Sequence, residues 1–263
     1  MTKASVFIGL FSLRFSMDME LTNRMYQVST LQALAMGYTR SVITVSELLK
    51  HGDTGLGTFT DVNGEMILLD GHCYQADVNG SISEISEGTG VPFAAVAFQE
   101  RERLVTLTNG LDIDGLKAEL NVRIEEKFGL NSLHMVRVDG YFEEIHARSE
   151  VPYRSQHVTL KNILEKTQKD FCFRELPCTL VCVYFPDYMD TINAPGWHIH
   201  FISKDRTVGG HVFQFRMVHG EALIDKIQNL EIQIPTEPAF DTYSLKNASN
   251  DEIRQVEQGN RVS

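Results

Sequence analysis

Short apolar and alternating stretches recur along the chain, and they predict that β-strands dominate the fold. They cover residues 65–76, 91–98, 135–148, 179–185, 196–215, 223–227 and 230–234. Two of these stretches contain an Asp-Gly pair, Asp70-Gly71 and Asp139-Gly140, which is typical of the two-residue turn of a β-hairpin. We therefore predict hairpins over residues 65–75 and 135–148.

The clearest helical pattern has apolar residues at every fourth position from Leu116 to Phe128, with Asp114 as the N-cap and Gly129 as the end signal. Shorter helices are predicted at residues 30–36, 47–51 and 160–168, after the N-caps Ser29, Ser46 and Thr159. A further helical signal covers residues 250–258. Helices are therefore expected to be few and mostly short.

These elements predict an α+β fold with mostly antiparallel or mixed β-sheets and a few short helices. Residues 151–156 are polar, contain Pro152 and form the best candidate for a boundary. We expect two closely packed halves, residues 1–156 and 157–263, which follow a similar order of helix, strands and hairpin. A chain of 263 residues is long enough to bury a sizeable core in this way.

The predicted strand at residues 196–203 carries His198 and His200 on one face, because successive side chains of a strand point to opposite faces. Residues 204–210 are polar and end in two glycines, which favours a turn between antiparallel strands. Such a turn can bring His211 beside the first two histidines. Three imidazoles without a fourth His or Cys at ligand spacing match a zinc site that keeps one position open.

Alternatives to this interpretation remain open, since a His-x-His pair alone also occurs in ordinary half-buried hairpins. Imidazole suits iron, copper and nickel as well, so another divalent transition metal could take the place of zinc. The residues also fit another three-His metalloenzyme, such as a cupin-like oxygenase or isomerase, or a non-catalytic metal-binding domain. Cupins usually add a carboxylate ligand soon after the His-x-His pair, whereas here the next acid is Asp205, in the turn.

The net charge of −11 argues against binding to nucleic acid or to an anionic membrane, because both require a basic surface. An anionic substrate would need a local positive centre that overcomes this overall field, and a metal with an arginine would supply one. The cysteines, Cys73, Cys172, Cys178 and Cys182, contain no C-x-x-C pair. They favour buried, reduced thiols in a cytoplasmic protein.

The apolar run at residues 4–13 resembles the hydrophobic region of a signal peptide. Arg14 interrupts it, and no small-x-small cleavage site follows. We therefore expect a first strand or an unprocessed leader here. No apolar run reaches membrane-spanning length, so we expect no membrane insertion.

Several groups of residues together resemble the alpha-acetolactate decarboxylase family, from about Tyr26 to Glu257. The matching groups are residues 26–34, 55–59, 64–75, Arg148 with its flanks, and residues 196–201 with 209–212. No group is specific alone, whereas the set is highly specific. The resemblance implies a zinc enzyme that decarboxylates 2-acetolactate, a small anionic 2-hydroxy-3-oxo acid, to acetoin.

The resemblance also implies roles for individual residues. His198, His200 and His211 would be the metal ligands, in the second of the predicted halves. In the first half, Arg148 matches the family's active-site arginine and Thr58 matches a threonine that lines the substrate pocket. We further expect the chain to act as a homodimer.

Two glutamates complete the implied site. Glu65 matches an acidic residue close to the metal, and a second glutamate comes from the C-terminal segment, where Glu257 matches best and Glu252 next. Loss of CO2 leaves an electron pair that the neighbouring carbonyl accepts as an enediolate, which a divalent cation would stabilise and a glutamate would protonate on one face. The sequence does not decide which glutamate donates this proton.

Overall fold

The computed structural model of the chain describes residues 23–100 and 104–245. Strands dominate this part of the chain and helices are few, which confirms the predicted α+β class. None of the described helices is long and apolar enough to cross a membrane. The apolar run at residues 4–13 and the helical signal at residues 250–258 lie outside the described residues.

The strands of the described residues are numbered in chain order. They are β1 (Arg24–Val28), β2 (Ile43–Thr44), β3 (Thr54–Thr58), β4 (Glu65–Leu69), β5 (His72–Ala76), β6 (Ile82–Glu84), β7 (Gly90–Val91), β8 (Phe93–Ala97), β9 (Leu104–Thr106), β10 (Leu111–Asp112), β11 (Leu133–Glu150), β12 (Gln168–Phe185), β13 (Gly196–Ser203), β14 (Gly209–Ile227) and β15 (Asn229–Gln233). The helices are α1 (Leu31–Ala35), α2 (Val45–Leu48), α3 (Ile113–Lys127) and α4 (Leu160–Thr167). Short 3₁₀ turns cover Asp187–Met189 and Pro238–Thr242.

Each helix begins at a residue whose side chain accepts a hydrogen bond from the first turn, and these N-caps are Thr30, Thr44, Asp112 and Thr159. The cap of α4 was predicted correctly, whereas Ser29, Ser46 and Asp114 were wrong by one or two positions. Ser29 has a φ of 61°, while Thr30 has the extended backbone that an N-cap requires and accepts from the amide of Ala33.

The strands form two large sheets. The seven-stranded sheet has the order β15-β1-β8-β3-β4-β5-β6 and is antiparallel except where β15 pairs with β1. The six-stranded sheet has the order β10-β14-β11-β12-β13, with β9 added on β14. Because β13 also pairs with β14, the strands β14, β11, β12 and β13 form a closed circuit of hydrogen bonds.

The predicted hairpin at residues 135–148 is wrong, because β11 runs straight through Asp139-Gly140 as part of an 18-residue strand. Both edges of this strand are paired, to β12 on one side and to β14 on the other. Pairing along both edges outweighs the local turn preference of the dipeptide. At Asp70-Gly71 the two φ angles are 54° and 79°, and the hairpin of β4 and β5 confirms that prediction.

The core lies in two main layers. Leu116, Leu120 and Ile124 of α3 are fully buried against one face of the six-stranded sheet, as the four-residue repeat predicts. A second cluster joins the facing surfaces of the two sheets and includes Ile67 of β4 and Ile202 of β13. Apolar packing therefore holds the two sheets together where the hairpin of β13 and β14 meets β4.

Both sheets draw strands from either side of residue 156. β11 precedes this position and pairs with β12 and β14, which follow it. β15 follows it and pairs with β1 at the edge of the seven-stranded sheet. The sheets therefore do not follow the division into residues 1–156 and 157–263, and that division stays a prediction.

All the cysteines are free thiols, as the sequence predicts for a reduced protein. Cys73, Cys178 and Cys182 are buried. Cys172 is exposed, which contradicts the expectation that every thiol is buried. Its place on β12 explains this, because it alternates with core positions onto the outer face of the sheet.

Candidate metal centre

The three histidines come together because β13 and β14 pair antiparallel, with His200 directly opposite His211. His198 lies two residues before His200 on β13 and shares its face. The Nε2 atoms of His198 and His200 are 3.1 Å apart, and Nε2 of His198 lies 3.2 Å from Nδ1 of His211. All three rings are buried. The hairpin predicted from the sequence is thus confirmed, and it gathers three ring nitrogens around one point.

A backbone carbonyl fixes the orientation of the central imidazole. Nδ1 of His200 lies 2.8 Å from the carbonyl oxygen of Met66, which can only accept a hydrogen bond. His200 therefore donates from Nδ1 and turns the lone pair of Nε2 toward the other histidines. Such a contact commonly sets the tautomer of a metal-binding histidine.

The buried environment keeps the imidazoles of His198 and His200 neutral. Burial, followed by the positive charges of Arg148 and Lys117, lowers the pKa of His198 to about 3. Burial is also the main cause that holds the pKa of His200 well below its usual value. A neutral imidazole is the form that binds a metal ion, so these rings are in the required state at neutral pH.

Arg148 reaches the same centre from the strand on the other side of β14. It is paired with His211 in the register of β11 and β14, and its Nη2 lies 3.3 Å from Nε2 of His211. Its Nη1 donates to Oε1 of Gln168 at 3.2 Å. The side chain is largely buried, with 6% of its surface exposed. The guanidinium of Arg148 therefore contacts Nε2 of His211, whereas His198 lies near Nδ1 of the same ring.

The carboxylate of Glu65 approaches from the seven-stranded sheet. Its Oε2 lies 3.3 Å from Nε2 of His200, and its Oε1 lies 4.0 Å from Nδ1 of His211. Glu65 is paired with Thr58 across β3 and β4, and the hydroxyl of Thr58 donates to the carbonyl of Gly64 at 2.9 Å. The predicted residues Glu65 and Thr58 are thus both brought to the histidine cluster.

These residues line one cavity together with apolar side chains from α1, α4 and β8. The lining comprises Leu34, Gly57, Thr58, Val62, Glu65, Phe93, Arg148, Glu150, Leu160, Leu164, His198 and His211. The arrangement combines a cluster of metal-binding nitrogens, a guanidinium and carboxylates within a largely apolar wall. Such a combination suits a small polar ligand whose orientation a few groups determine.

Glu150 is the site residue that sequence reasoning missed. It is buried, with 2% of its surface exposed, and it lines the cavity two residues after Arg148 on β11. The two-residue spacing from Arg148 was the available signal, since it places both side chains on one face of an extended strand. Glu257 and its alternative Glu252 lie outside the described residues, so their predicted roles stay predictions.

Comparison with known proteins points to one family. Residues 25–247 match the family model of alpha-acetolactate decarboxylase. The chain is 33% identical over 235 residues to the alpha-acetolactate decarboxylase of Brevibacillus brevis, with 89% of this chain and 81% of the relative covered. It is 34% identical over 215 residues to that of Lactococcus lactis subsp. cremoris, with 81% and 89% covered.

The fold gives the same result. The solved structure of alpha-acetolactate decarboxylase from Bacillus subtilis strain 168 matches with a TM-score of 0.84 and 27% identity, over 90% of this chain and 99% of that chain. A Staphylococcus aureus protein of unknown function, described as similar to alpha-acetolactate decarboxylase, matches with a TM-score of 0.82 and 26% identity, over 89% of this chain and 100% of that chain.

We expect Gly210→Ala to disturb the centre, because a Cβ there would lie 2.9 Å from the Phe171 ring and 3.0 Å from the carbonyl oxygen of Arg148. β11 and β14 would have to separate beside His211. We expect a loss of about 1–3 kcal/mol in the free energy of unfolding, measured in urea, and weaker binding of added divalent metal. Gly88→Ala is the matched control, since no atom lies within 4 Å of its Cβ. Equal stability and equal metal binding in the two variants would contradict the requirement for close approach at Gly210.

Proposed function

From the premise that this chain belongs to the alpha-acetolactate decarboxylase family and is a carboxy-lyase, we propose that it converts 2-acetolactate to acetoin and CO2 at a divalent metal centre. The observation that carries the proposal is the convergence of three buried histidines, His198, His200 and His211, beside Arg148 and Glu65 at one cavity. Each group has a function in such a decarboxylation.

The donor set fits a metal ion of the first transition series. Two nitrogens that bind zinc tetrahedrally at 2.0–2.1 Å lie about 3.3 Å apart. The measured separations of 3.1 and 3.2 Å around His198 are close to this value. Three imidazoles favour zinc with an open fourth position, and the same nitrogens suit iron, copper or nickel. We propose zinc as the ion held by His198, His200 and His211.

The bound cation supplies Lewis-acid stabilisation of the negative charge that develops on the substrate oxygens as CO2 leaves. Arg148 binds the departing carboxylate, because its guanidinium can donate two parallel hydrogen bonds to a carboxylate and so fix its orientation. It is also the cation that attracts an anion into a protein of net charge −11. The carbon–carbon bond breaks and its electron pair moves onto the neighbouring ketone, which yields an enediolate.

A proton must then reach one carbon of the enediolate to give acetoin. Glu65 is placed to hold this proton, since the residue is only 9% exposed and its Oε2 lies 3.3 Å from Nε2 of His200. We propose that it acts as a pair with a second carboxyl group, because neighbouring carboxylates favour retention of a proton on one of them. Glu257 is the proposed second member, with Glu252 as the alternative. The proton donor is one of the two glutamates of this pair.

The apolar part of the cavity protects the reacting groups from water. Leu34 of α1, Phe93 of β8 and Leu160 and Leu164 of α4 form this wall. Exclusion of water strengthens the electrostatic interactions of the guanidinium and carboxylate with the substrate. It also limits protonation of the enediolate by solvent, which would give both enantiomers of acetoin. We propose that the product is a single enantiomer for this reason.

Cytoplasmic location and a homodimeric state are further proposals of this kind. The exposed thiol of Cys172 together with the free thiols elsewhere supports a reducing compartment. The homodimer stays a proposal without a structural observation behind it.

The first test is an acetoin assay on 2-acetolactate before and after chelation, with bound metal measured by mass spectrometry. We expect activity and metal to be lost together and to return together with zinc. His200→Ala should lose both, because it removes the central imidazole. The result that sinks the proposal is a chelated, metal-free chain with undiminished acetoin production. Activity that depends on oxygen and returns only with iron would instead favour a cupin-like oxygenase, and metal binding without turnover would favour a binding domain.

Arg148→Lys should lower kcat/KM by about 10²–10³-fold, because a point charge cannot replace the bidentate fork that orients the carboxylate. Metal content should stay at the wild-type level, since Arg148 is not a ligand. Arg123→Lys on α3 is the matched control and should leave turnover unchanged, as Arg123 lies outside the cavity. Full activity of Arg148→Lys would show that catalysis does not need the bidentate contact with the substrate carboxylate.

The proposed proton donor can be identified by comparing Glu65→Gln, Glu257→Gln and Glu252→Gln. Loss of a general acid should lower kcat by about 10²–10⁴-fold while metal is retained, because an amide keeps the shape of the carboxyl group without its exchangeable acid proton. Chiral chromatography of the acetoin should show loss of enantiomeric purity in the same variant. If Glu65→Gln keeps full rate and purity, Glu65 is not part of the pair. If Glu257→Gln keeps full rate and purity, Glu252 is the second member of the pair instead.

A further inference from the structure

A second group of metal-binding side chains lies on the outer face of the six-stranded sheet, apart from the three histidines. It consists of Glu144 and His146 on β11 and Cys172 on β12, and one ligand atom from each lies within 4.8 Å of the others. We propose that these three residues form a second site for a soft or borderline divalent cation, with zinc as the ion that fits best. This inference does not depend on the proposed decarboxylation.

The strand register places the donors without any help from flexible loops. His146 is the direct cross-strand partner of Cys172, and Glu144 lies two residues before His146 on the same face. The ring of Phe213 on β14 lies 6.2 Å from the imidazole and borders it on the other side. The backbone positions of all three donors are thus fixed by hydrogen-bonded strands, which reduces the entropy lost when an ion binds.

The distances between the donors match zinc coordination. Tetrahedral zinc separates a sulfur ligand from a nitrogen ligand by about 3.6 Å, and a nitrogen from an oxygen by about 3.4 Å. Sγ of Cys172 lies 3.7 Å from Nε2 of His146, and this nitrogen lies 3.9 Å from Oε1 of Glu144. The first separation agrees, and the second closes with a small rotation of the glutamate side chain. Thiolate, imidazole and carboxylate together select zinc or cobalt over magnesium or calcium.

Two arginines compete for the glutamate. Nη2 of Arg174 lies 3.4 Å from Oε2 of Glu144, and Nη2 of Arg216 lies 3.3 Å from Oε1. Both arginine side chains are mostly exposed, and Arg216 has Glu143 as another partner at 3.3 Å. Exposed ion pairs contribute little stability, so a cation can take Oε1 while Arg216 remains with Glu143. The arginines therefore weaken the site without blocking it.

The other thiols do not interfere with a test of this site. Cys73, Cys178 and Cys182 are buried, and burial raises the pKa of the Cys73 thiol to about 12 and raises those of the other two as well. Reagents that require an accessible thiolate will therefore react first with Cys172. The three-His centre contains no sulfur, so any thiolate–metal signal also reports on Cys172.

The experiment is a titration of the metal-stripped full-length chain with Co²⁺ alone, followed by its near-ultraviolet absorption. We expect a sulfur-to-cobalt charge-transfer band in the wild-type chain and none in Cys172→Ser. His146→Gln should require about tenfold more Co²⁺ or more for the same band, whereas His219→Gln, an exposed histidine elsewhere on β14, should behave as wild type. Arg216→Gln should strengthen binding, because it removes the competitor for Oε1.

A second measurement does not rely on cobalt. Saturating Zn²⁺ should slow modification of the accessible thiol about tenfold or more in the wild-type chain and should leave the rate unchanged in His146→Gln. Cys172→Ser should keep its wild-type acetoin activity if that activity is present, which shows that the variant is folded. The proposal is overturned if no sulfur-to-cobalt band forms when the metal is in excess. It is also overturned if Zn²⁺ does not protect the thiol, because Cys172 and His146 are then only neighbours.

Discussion

The candidate centre depends on one position of β14. His211 pairs with His200 of β13 on one side and with Arg148 of β11 on the other. A single residue thus places the third imidazole beside the other two and the guanidinium beside that imidazole. Side chains alternate between the faces of a strand. A shift of one residue in either pairing would therefore move an imidazole or the guanidinium to the opposite face, away from the site. The register of three adjacent strands is therefore the physical condition for the site.

The second condition is the packing of the two sheets. The hairpin of β13 and β14 belongs to the six-stranded sheet, whereas Glu65 and the carbonyl of Met66 belong to β4 of the seven-stranded sheet. The contact between Met66 and His200 at 2.8 Å thus joins the sheets as well as orienting a ring. Apolar residues buried between the sheets hold this distance. Groups from both sheets keep fixed positions, which favours a preorganised site over one that assembles on binding.

Local patterns predicted the parts of the fold that local interactions determine. The hairpins at Asp70-Gly71 and at His198 to His211 follow from turn residues and alternation, and the buried stripe of α3 follows from its four-residue repeat. The three histidines could be grouped for the same reason. Arg148, Glu65 and Thr58 lie on other strands, far away in sequence, so only the family resemblance joined them to the histidines.

The wrong hairpin prediction has the opposite cause, because pairing with strands that are distant in sequence overrides a local turn preference. Asp139-Gly140 has the sequence of a turn, yet strands on both sides keep it extended within β11. Recognising β11 as one long strand would have corrected the hairpin prediction and also the predicted positions of four side chains. It places Glu144, His146, Arg148 and Glu150 along a single element, so the outer metal-binding group and the cavity share one rigid support.

Charge gives a physical reason, independent of the resemblance, for a cation at the three histidines. Two carboxyl groups, those of Glu65 and Glu150, line the cavity together with the guanidinium of Arg148. His198 and His200 add no charge, because burial keeps the pKa of His198 at about 3 and that of His200 well below its usual value. An anionic substrate therefore has to approach two carboxyl groups in a protein that is acidic overall. A divalent ion held by His198, His200 and His211 would add positive charge beside these carboxyl groups and so favour binding of the anion.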